Sequence, residues 1–362
     1  MSDVKTILAQ CTNVLPGHGP SRRMKEVFQT LADALDGTEE LDSYGSGPDL
    51  ARFEAEIAEL FGKEAAVFLP TGTMAQQIAL RIWCEQQNNF TVAMHPTAHL
   101  EYAEQLGYQF LHHIQRLQFD APEFVSNRLL TVKDFAQLGA KPGVILLELP
   151  HRPLGGQLPS WEDRLAIHAW AQERAIPLHM DGARIWQCRP FYQKTYGEIA
   201  ALFDSAYVSF YKDLGGLCGA MLLGSTAFVN AARVWQIRHG GRLRTMGPFW
   251  LSAQLGLKAI LPQIDQWVVK AREVAANLSR FDRITINPNP PHVNFFQLYI
   301  RGDAELLNNR HLALAEETGT FLFHGINPTN IPGIAMTEIH CWENSMRFQL
   351  EELHPFVETL LS

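Results

Sequence analysis

The sequence predicts an α/β chain built on a mostly parallel sheet and followed by a small α+β domain, an expectation that three observations carry. Short apolar runs ending in polar loops alternate with helical stretches over most of the chain. One run, VILLELP (144–150), is almost continuously apolar, as strands buried on both faces are. A Pro-rich stretch, NPNPPHVN, then sets off two further strand-like runs around one helix. The boundaries expected are 1–270 for a large domain that includes the N-terminal segment and 271–362 for a small one.

With 362 residues, 46% of them hydrophobic, the chain is long enough for a large core and a second, smaller one. Its formal charge of -8 gives no general attraction to nucleic acid or anionic lipid, so neither is expected as a partner. The five cysteines (Cys11, Cys84, Cys188, Cys218, Cys341) are scattered and form no CxxC pair or zinc-type spacing, which suits a reducing cytoplasm and no metal centre. No segment reaches the apolar length of a membrane span, and the N-terminus lacks a basic region followed by an apolar core.

Taken in order, Ser21 is placed to cap a helix running to about Leu35, with Met24, Phe28, Leu31 and Leu35 at helical spacing. The loop DGTEELDSYGSGPDL holds one aromatic, Tyr44; it is either a surface turn or an aromatic offered to a ligand. A helix from Leu50 to Phe61 buries Phe53, Ile57, Leu60 and Phe61 and stops at Gly62. AAVFLP (65–70) is a buried strand, and TGTMAQQIAL begins a helix directly after it. Thr71, Gly72 and Thr73 therefore stand at a helix N-terminus, where backbone N–H groups and the dipole favour an anion; capping alone also accounts for either threonine.

TVAMHP (91–96) is the next strand, a helix runs from His99 through Glu104, and residues 110–130 are irregular or weakly extended. VKDFAQLGAKPG holds a short helix, VILLELP ends at Glu148 and the loop HRPLGG, and WEDRLAIHAWAQERA is a helix with Leu165, Trp170 and Ala171 inward. IPLHMDGARI returns as a strand ending at Asp181. SAYVSFYKDLGGLCGAMLLG (205–224) reads as strand, tight loop, strand, with Lys212 at the bend. Helices interrupted by an Arg/Gly loop at 238–247 lead to a long helix from about Ile264 to Phe281. VNFFQLYI (293–300) and MRFQL (346–350) are then strands around a helix at about 303–319.

No GxGxxG follows the first strand and there is no GxxxxGK[ST], which disfavours the common nucleotide-binding classes. His179 and Asp181 face the same side of one strand, but a metal there needs a third ligand. Lys212 is the unusual residue, because a lysine set among apolar strands and glycines either snorkels to water or works as an amine. Beside it the chain offers an anion cup (Thr71, Gly72, Thr73), an imidazole at a strand-to-helix junction (His99), a carboxylate at a strand end (Asp181) and a guanidinium three residues on (Arg184). Pyridoxal 5'-phosphate requires those parts: a cup for its phosphate, a stacking face, a carboxylate for its pyridine nitrogen and an amine for its aldehyde.

Four segments, FGKEAAVFLPTGTMA (61–75), AHLEYAE (98–104), LHMDGAR (178–184) and SFYKDLGGLCGAMLLG (209–224), resemble in order and spacing the threonine aldolase family. That family lies within the β-eliminating lyases, pyridoxal-phosphate enzymes of the aspartate aminotransferase fold. The resemblance spans nearly the whole chain and implies fold type I: a large-domain sheet of seven-stranded type, mostly parallel, with a small C-terminal α+β domain. It implies that Lys212 carries the cofactor, Asp181 pairs with the pyridine nitrogen, His99 stacks on the ring, and Gly72 and Thr73 of the cup bind phosphate. It places Arg184 near the cofactor's phenolic oxygen and the substrate carboxylate, Arg347 as a second carboxylate-binding arginine, and Glu104 and His151 close to the amino-acid substrate. Tyr44 matches a tyrosine that approaches a neighbouring subunit's site, so a homodimer or homotetramer is expected.

The implied reaction is retro-aldol cleavage of threonine or a related β-hydroxy-α-amino acid to glycine and an aldehyde, with His99, His151 or a water as base. The alternatives are β-elimination on a related amino acid and a non-catalytic protein on the same fold. Two departures stand out: CTNVLPG replaces the family's N-terminal Ser-Asp-Thr, and Asp213 follows the lysine where the family runs into Gly-Leu-Gly.

Overall fold

The computed structural model of the protein describes residues 4–18, 23–120 and 125–362; Ser21, the expected helix cap, lies outside them. The chain forms two compact units, one of Arg22–Pro153 with Leu158–Pro262, the other of Met1–Ser21, Leu154–Gln157 and Gln263–Ser362. Among the described residues the strands are β1 (Asn13–Val14), β2 (Ala65–Leu69), β3 (Thr91–Ala93), β4 (Gln115–Arg116), β5 (Val144–Glu148), β6 (Leu178–Gly182) and β7 (Ser205–Ser209). They continue as β8 (Ala220–Gly224), β9 (Ile284–Asn287), β10 (Phe295–Arg301), β11 (Thr320–Phe321), β12 (Asn327–Pro328) and β13 (Ile334–His340).

The large unit carries a seven-stranded sheet in the order β2-β8-β7-β6-β5-β3-β4. It is parallel except for β8, which runs antiparallel to both β2 and β7. Strands β6, β7 and β8 are buried along their whole length, which is what near-continuous apolar runs produce when helices cover both faces. Helix Gly72–Gln87 lays Ala75, Ile78, Ala79 and Ile82 against Val67, Tyr207 and Leu222 of the sheet. Its start is fixed by Thr71, whose side chain accepts the Met74 N–H at 3.2 Å. Gly72 is required there, since a Cβ would come within 2.0 Å of the Tyr207 hydroxyl.

Helix Trp161–Glu173 is capped by Ser160, which accepts the Asp163 N–H at 3.0 Å. Its buried face is Arg164, Ile167 and Ala171. Leu165, expected inward, is exposed, because it falls roughly 100° round the helix from Arg164 and off that face. A guanidinium takes the inward place. Helix Met24–Asp33 buries only Leu31, leaving Met24 and Phe28, and Leu35 beyond it, exposed.

In the other unit a four-stranded antiparallel sheet, β12-β13-β10-β9, packs Phe296, Leu298 and Ile300 into a core with Val274, Leu278 and Phe356. Helix Ala304–Thr318 starts at Asp303, which accepts the Leu306 N–H at 2.8 Å, and ends at Gly319 with φ 72°. The N-terminal segment, expected with the large domain, belongs here: β1 pairs in parallel with β11, and Leu15 enters this core. MRFQL is not a strand. Met346 and Arg347 end the helix Glu343–Arg347, because β10 already has β9 on one side and β13 on the other and offers no free edge.

Candidate active site

Lys212 sits on an irregular loop between β7 and β8, three residues beyond the last strand residue, so it is not at the bend of a tight hairpin. The loop is anchored by backbone bonds from Phe210 N–H to the Gly219 carbonyl (3.2 Å) and from Gly216 N–H to the Phe210 carbonyl (2.9 Å). The Pro70 carbonyl accepts from both the Gly219 N–H (3.2 Å) and the Cys218 thiol (2.6 Å). Pro70 immediately precedes Thr71, so the amine loop and the helix N-terminus are tied to one point.

A single pocket is lined by Lys212, Asp181, Glu148, His99, Arg184 and Tyr102, among others. The parallel sheet assembles it, since these residues come from the carboxyl ends of β3, β5, β6 and β7 or the loops that follow. Asp181 and Glu148 are register partners on β6 and β5. Burial pushes the Asp181 carboxyl from 3.8 to about 6, Glu148's charge adding to this against Lys212 and His99. Burial also acts to raise Glu148, but His151 and the backbone N–H of His99 outweigh it, and its carboxyl stays below the ordinary range. The His151 Nδ1 lies 3.1 Å from one Glu148 oxygen, and the His99 N–H donates to the other. Burial lowers the Lys212 amine, with Asp181 opposing this and Arg184 reinforcing it.

His99 turns its Nδ1 to Glu104 at 3.0 Å, and its ring meets Tyr102 edge-on at 5.7 Å. Glu104 is thus found on the back of His99, with its second carboxylate oxygen buried and unpartnered. His151 does not line the Lys212 pocket. It is buried behind Glu148, with its Nε2 2.9 Å from the Thr97 hydroxyl, so both ring nitrogens are already engaged.

Beneath Asp181, His179 is held between Ser205 Oγ and Gln76 Oε1, each at 2.8 Å, and burial pushes its pKa down to about 3. It is a neutral core histidine, and among the described residues no three His, Cys, Asp or Glu side chains gather as a metal site. Nor is any helix among them long and apolar enough to cross a membrane.

Thr71 spends its side chain on capping, Gly72 packs on Tyr207, and Thr73 is half-buried at the helix start. Tyr44 does not line the pocket; it is exposed, at φ 49°, with its ring 5.6 Å from the Arg242 guanidinium and 5.4 Å from that of Arg244. Arg347 is exposed in the C-terminal unit. Glu148, Tyr102 and Arg152 line the pocket without having been read from the sequence as site residues. Glu148 ends a strand as Asp181 does, and that shared position was the available signal. Asp213 is fully buried, accepts from Gln187 Nε2 at 2.7 Å and is pushed by burial to about 6, which shows the extra charge to be an inward one.

The described pocket can be set beside known proteins. The beta-eliminating lyase profile matches residues 20–301. A low specificity L-threonine aldolase of Escherichia coli K12 is 31% identical over 278 residues, covering 73% of this chain and 79% of its own. A crystal structure from Listeria monocytogenes EGD-E, provisionally assigned as an L-allo-threonine aldolase, superposes with a TM-score of 0.93 at 35% identity, covering 99% of this chain and 98% of that one. SPT solved with PLP shares the fold alone, at 13% identity and a TM-score of 0.67 over 96% of this chain and 86% of its own. The chain belongs to the beta-eliminating lyase family, with threonine aldolases among its relatives.

Proposed function

We propose that the protein is a pyridoxal-phosphate-dependent aldolase that cleaves threonine, or a related β-hydroxy-α-amino acid, to glycine and an aldehyde. The observation that carries this is the gathering of Lys212, Asp181, His99 and Arg184 around one pocket at the strand ends. The donor set fits the cofactor. Asp181 is a buried carboxylate whose ionisation is costly until a cation such as a protonated pyridine nitrogen faces it, and Lys212 is an amine whose pKa burial lowers. When bound, the cofactor supplies an electron sink for the bond that breaks.

The chain's own residues supply the rest. Lys212 would hold the cofactor through its amine, and the helix start at Thr71, Gly72 and Thr73 would offer N–H groups and a positive dipole end to its phosphate. Arg184 holds the substrate carboxylate, and Arg347 keeps the second carboxylate-binding role that the sequence resemblance gives it. His99 provides a face for the ring. With Nδ1 turned to Glu104, its Nε2 is the nitrogen that takes the β-hydroxyl proton. His151 takes no proton from substrate and acts through Glu148.

Oligomerisation belongs to the same reading. Phe28, Leu35 and Leu41 line one largely apolar cavity, and Tyr44 is exposed on a turn at positive φ, which suits a homodimer or homotetramer in which that loop reaches a neighbouring site. The five unpaired cysteines suit a cytoplasmic enzyme.

The test is direct. Purified protein is expected to be yellow, and Lys212→Ala to be colourless; native protein that takes up no pyridoxal phosphate would overturn the reading. A panel of β-hydroxy amino acids should release glycine and an aldehyde, whereas a 2-oxo acid with ammonia would assign β-elimination instead.

A further inference from the structure

Behind the Lys212 pocket a row of side chains runs from Glu148 inward through His151, Thr97 and His95 to the backbone. His151 Nδ1 is 3.1 Å from Glu148, and His151 Nε2 is 2.9 Å from Thr97 Oγ1. Thr97 Oγ1 is in turn 2.8 Å from His95 Nδ1, and His95 Nε2 is 2.9 Å from the Val125 carbonyl and 3.0 Å from that of Arg128.

The direction of each bond follows from its ends. Carbonyl oxygens only accept, so His95 carries its proton on Nε2. The backbone N–H of Thr97 donates to His95 Nδ1 at 3.1 Å, so that nitrogen is an acceptor and His95 is neutral. Burial, with His151 beside it, agrees by pushing His95 down to about 4. The Thr97 hydroxyl has one hydrogen and two nitrogens to serve. Were it to donate to His151, its oxygen would face the His95 lone pair at 2.8 Å, a repulsive contact. Donating to His95 instead turns the oxygen's lone pair to His151 Nε2, which must then carry a hydrogen. At the other end a carboxylate accepts from Nδ1.

We propose that His95 and Thr97 are positioning residues that hold His151 as an imidazolium against the Glu148 carboxylate, with the Thr97 hydroxyl as the switch that reads its charge. The inference rests on the Lys212 pocket being the amino-acid site, because Glu148 touches that pocket and His151 does not. Loss of the His151 Nε2 proton to solvent turns the Thr97 hydrogen from His95 to the vacated lone pair. The Glu148 charge next to Asp181 then stands unbalanced. Other titratable and charged groups face this row: the His99 ring, Asp181 and Lys212 at Glu148, and Arg164 on the wall of the small cavity that His95, Glu148 and His151 also line. Arg128, whose carbonyl receives His95, is paired with Asp134.

The test compares Thr97→Val, which keeps shape and removes the hydroxyl, with Thr97→Ser, which restores it, in cofactor-loaded protein and in protein stripped of cofactor. Imidazole nitrogen NMR should show native His151 with both nitrogens protonated at neutral pH, and His95 with Nε2 alone. A bond from a charged donor is worth more than one to a neutral ring. Thr97→Val should therefore lose the doubly protonated His151 signal at lower pH than native protein, by about one pH unit. The alkaline limb of kcat/KM should move the same way, and Thr97→Ser should restore both. His95→Leu, which withdraws the ring acceptor, should repeat the shift if Thr97→Val does not fold. A native His151 carrying one ring proton at neutral pH, or a His151 titration unmoved in a folded Thr97→Val or His95→Leu variant, would overturn the relay. The NMR arm reads cofactor-free protein, so failure of the aldolase reading alone would leave the His151 result intact.

Discussion

Asp181 and Glu148 stand opposite each other on neighbouring parallel strands, two carboxylates in register at the wall of one pocket. Asp181 takes the consequence, its carboxyl raised from 3.8 to about 6, first by burial and then by Glu148. A carboxyl raised on folding adds stability that is complete below its unfolded pKa and is lost as pH rises through the folded one. Asp181→Asn should therefore stabilise cofactor-free protein near pH 8 by roughly 1–3 kcal/mol, a gain that disappears below about pH 4. Urea denaturation at the two pH values measures it, and the same variant should hold the cofactor less tightly.

The His99–Glu104 contact predicts a split in kinetics. Glu104→Gln leaves a group able to donate to or accept from Nδ1, so the imidazole is no longer confined to the form with a free Nε2 acceptor. Steady-state assays should show kcat falling about tenfold or more with a smaller change in KM. Equal loss in both would assign Glu104 to substrate binding.

Asp213 acts on Lys212 through charge. It opposes the lowering of the amine by burial and Arg184. Asp213→Asn should shift the pH dependence of Lys212 labelling by an amine-selective reagent to lower pH in cofactor-free protein. Peptide mapping of the labelled lysine reads the shift.

Arg164 is fully buried over the Phe203 ring at 4.3 Å, with two guanidinium nitrogens lacking hydrogen-bond partners, and burial pushes it down to about 10. Replacing a buried unpaired charge by an apolar chain of similar length relieves desolvation at the cost of a cation–π contact. Arg164→Met should raise the melting temperature, corresponding to about 1–3 kcal/mol of added stability, with cofactor uptake unchanged.

Much of this was legible in residue order. The near-continuous apolar run at 144–150 gave a strand buried on both faces, and Lys212, Asp181, His99 and Arg184 converge because strand ends in a parallel sheet lie along one edge. Side-chain direction beyond a strand end was not legible. His151, three residues past Glu148, turns back behind it, and Arg164 displaces Leu165 from the buried face through a rotation that composition does not specify. MRFQL has the residues of a strand, but whether a sheet edge is free to receive it is a property of the assembled sheet.

The reversed strand β8 also bears on the order in which the protein is made. β2 has β8 as its single neighbour in the sheet, and residues 65–69 must wait for 220–224 to leave the ribosome before they can pair. The parallel block of β3, β5, β6 and β7 is complete in the nascent chain before then. The turn at Thr71 and the loop bearing Lys212 acquire their shared anchor at Pro70 only when that long-range pairing closes. Synthesis therefore anchors the Lys212 loop only after β2 to β7 of the large sheet have been made.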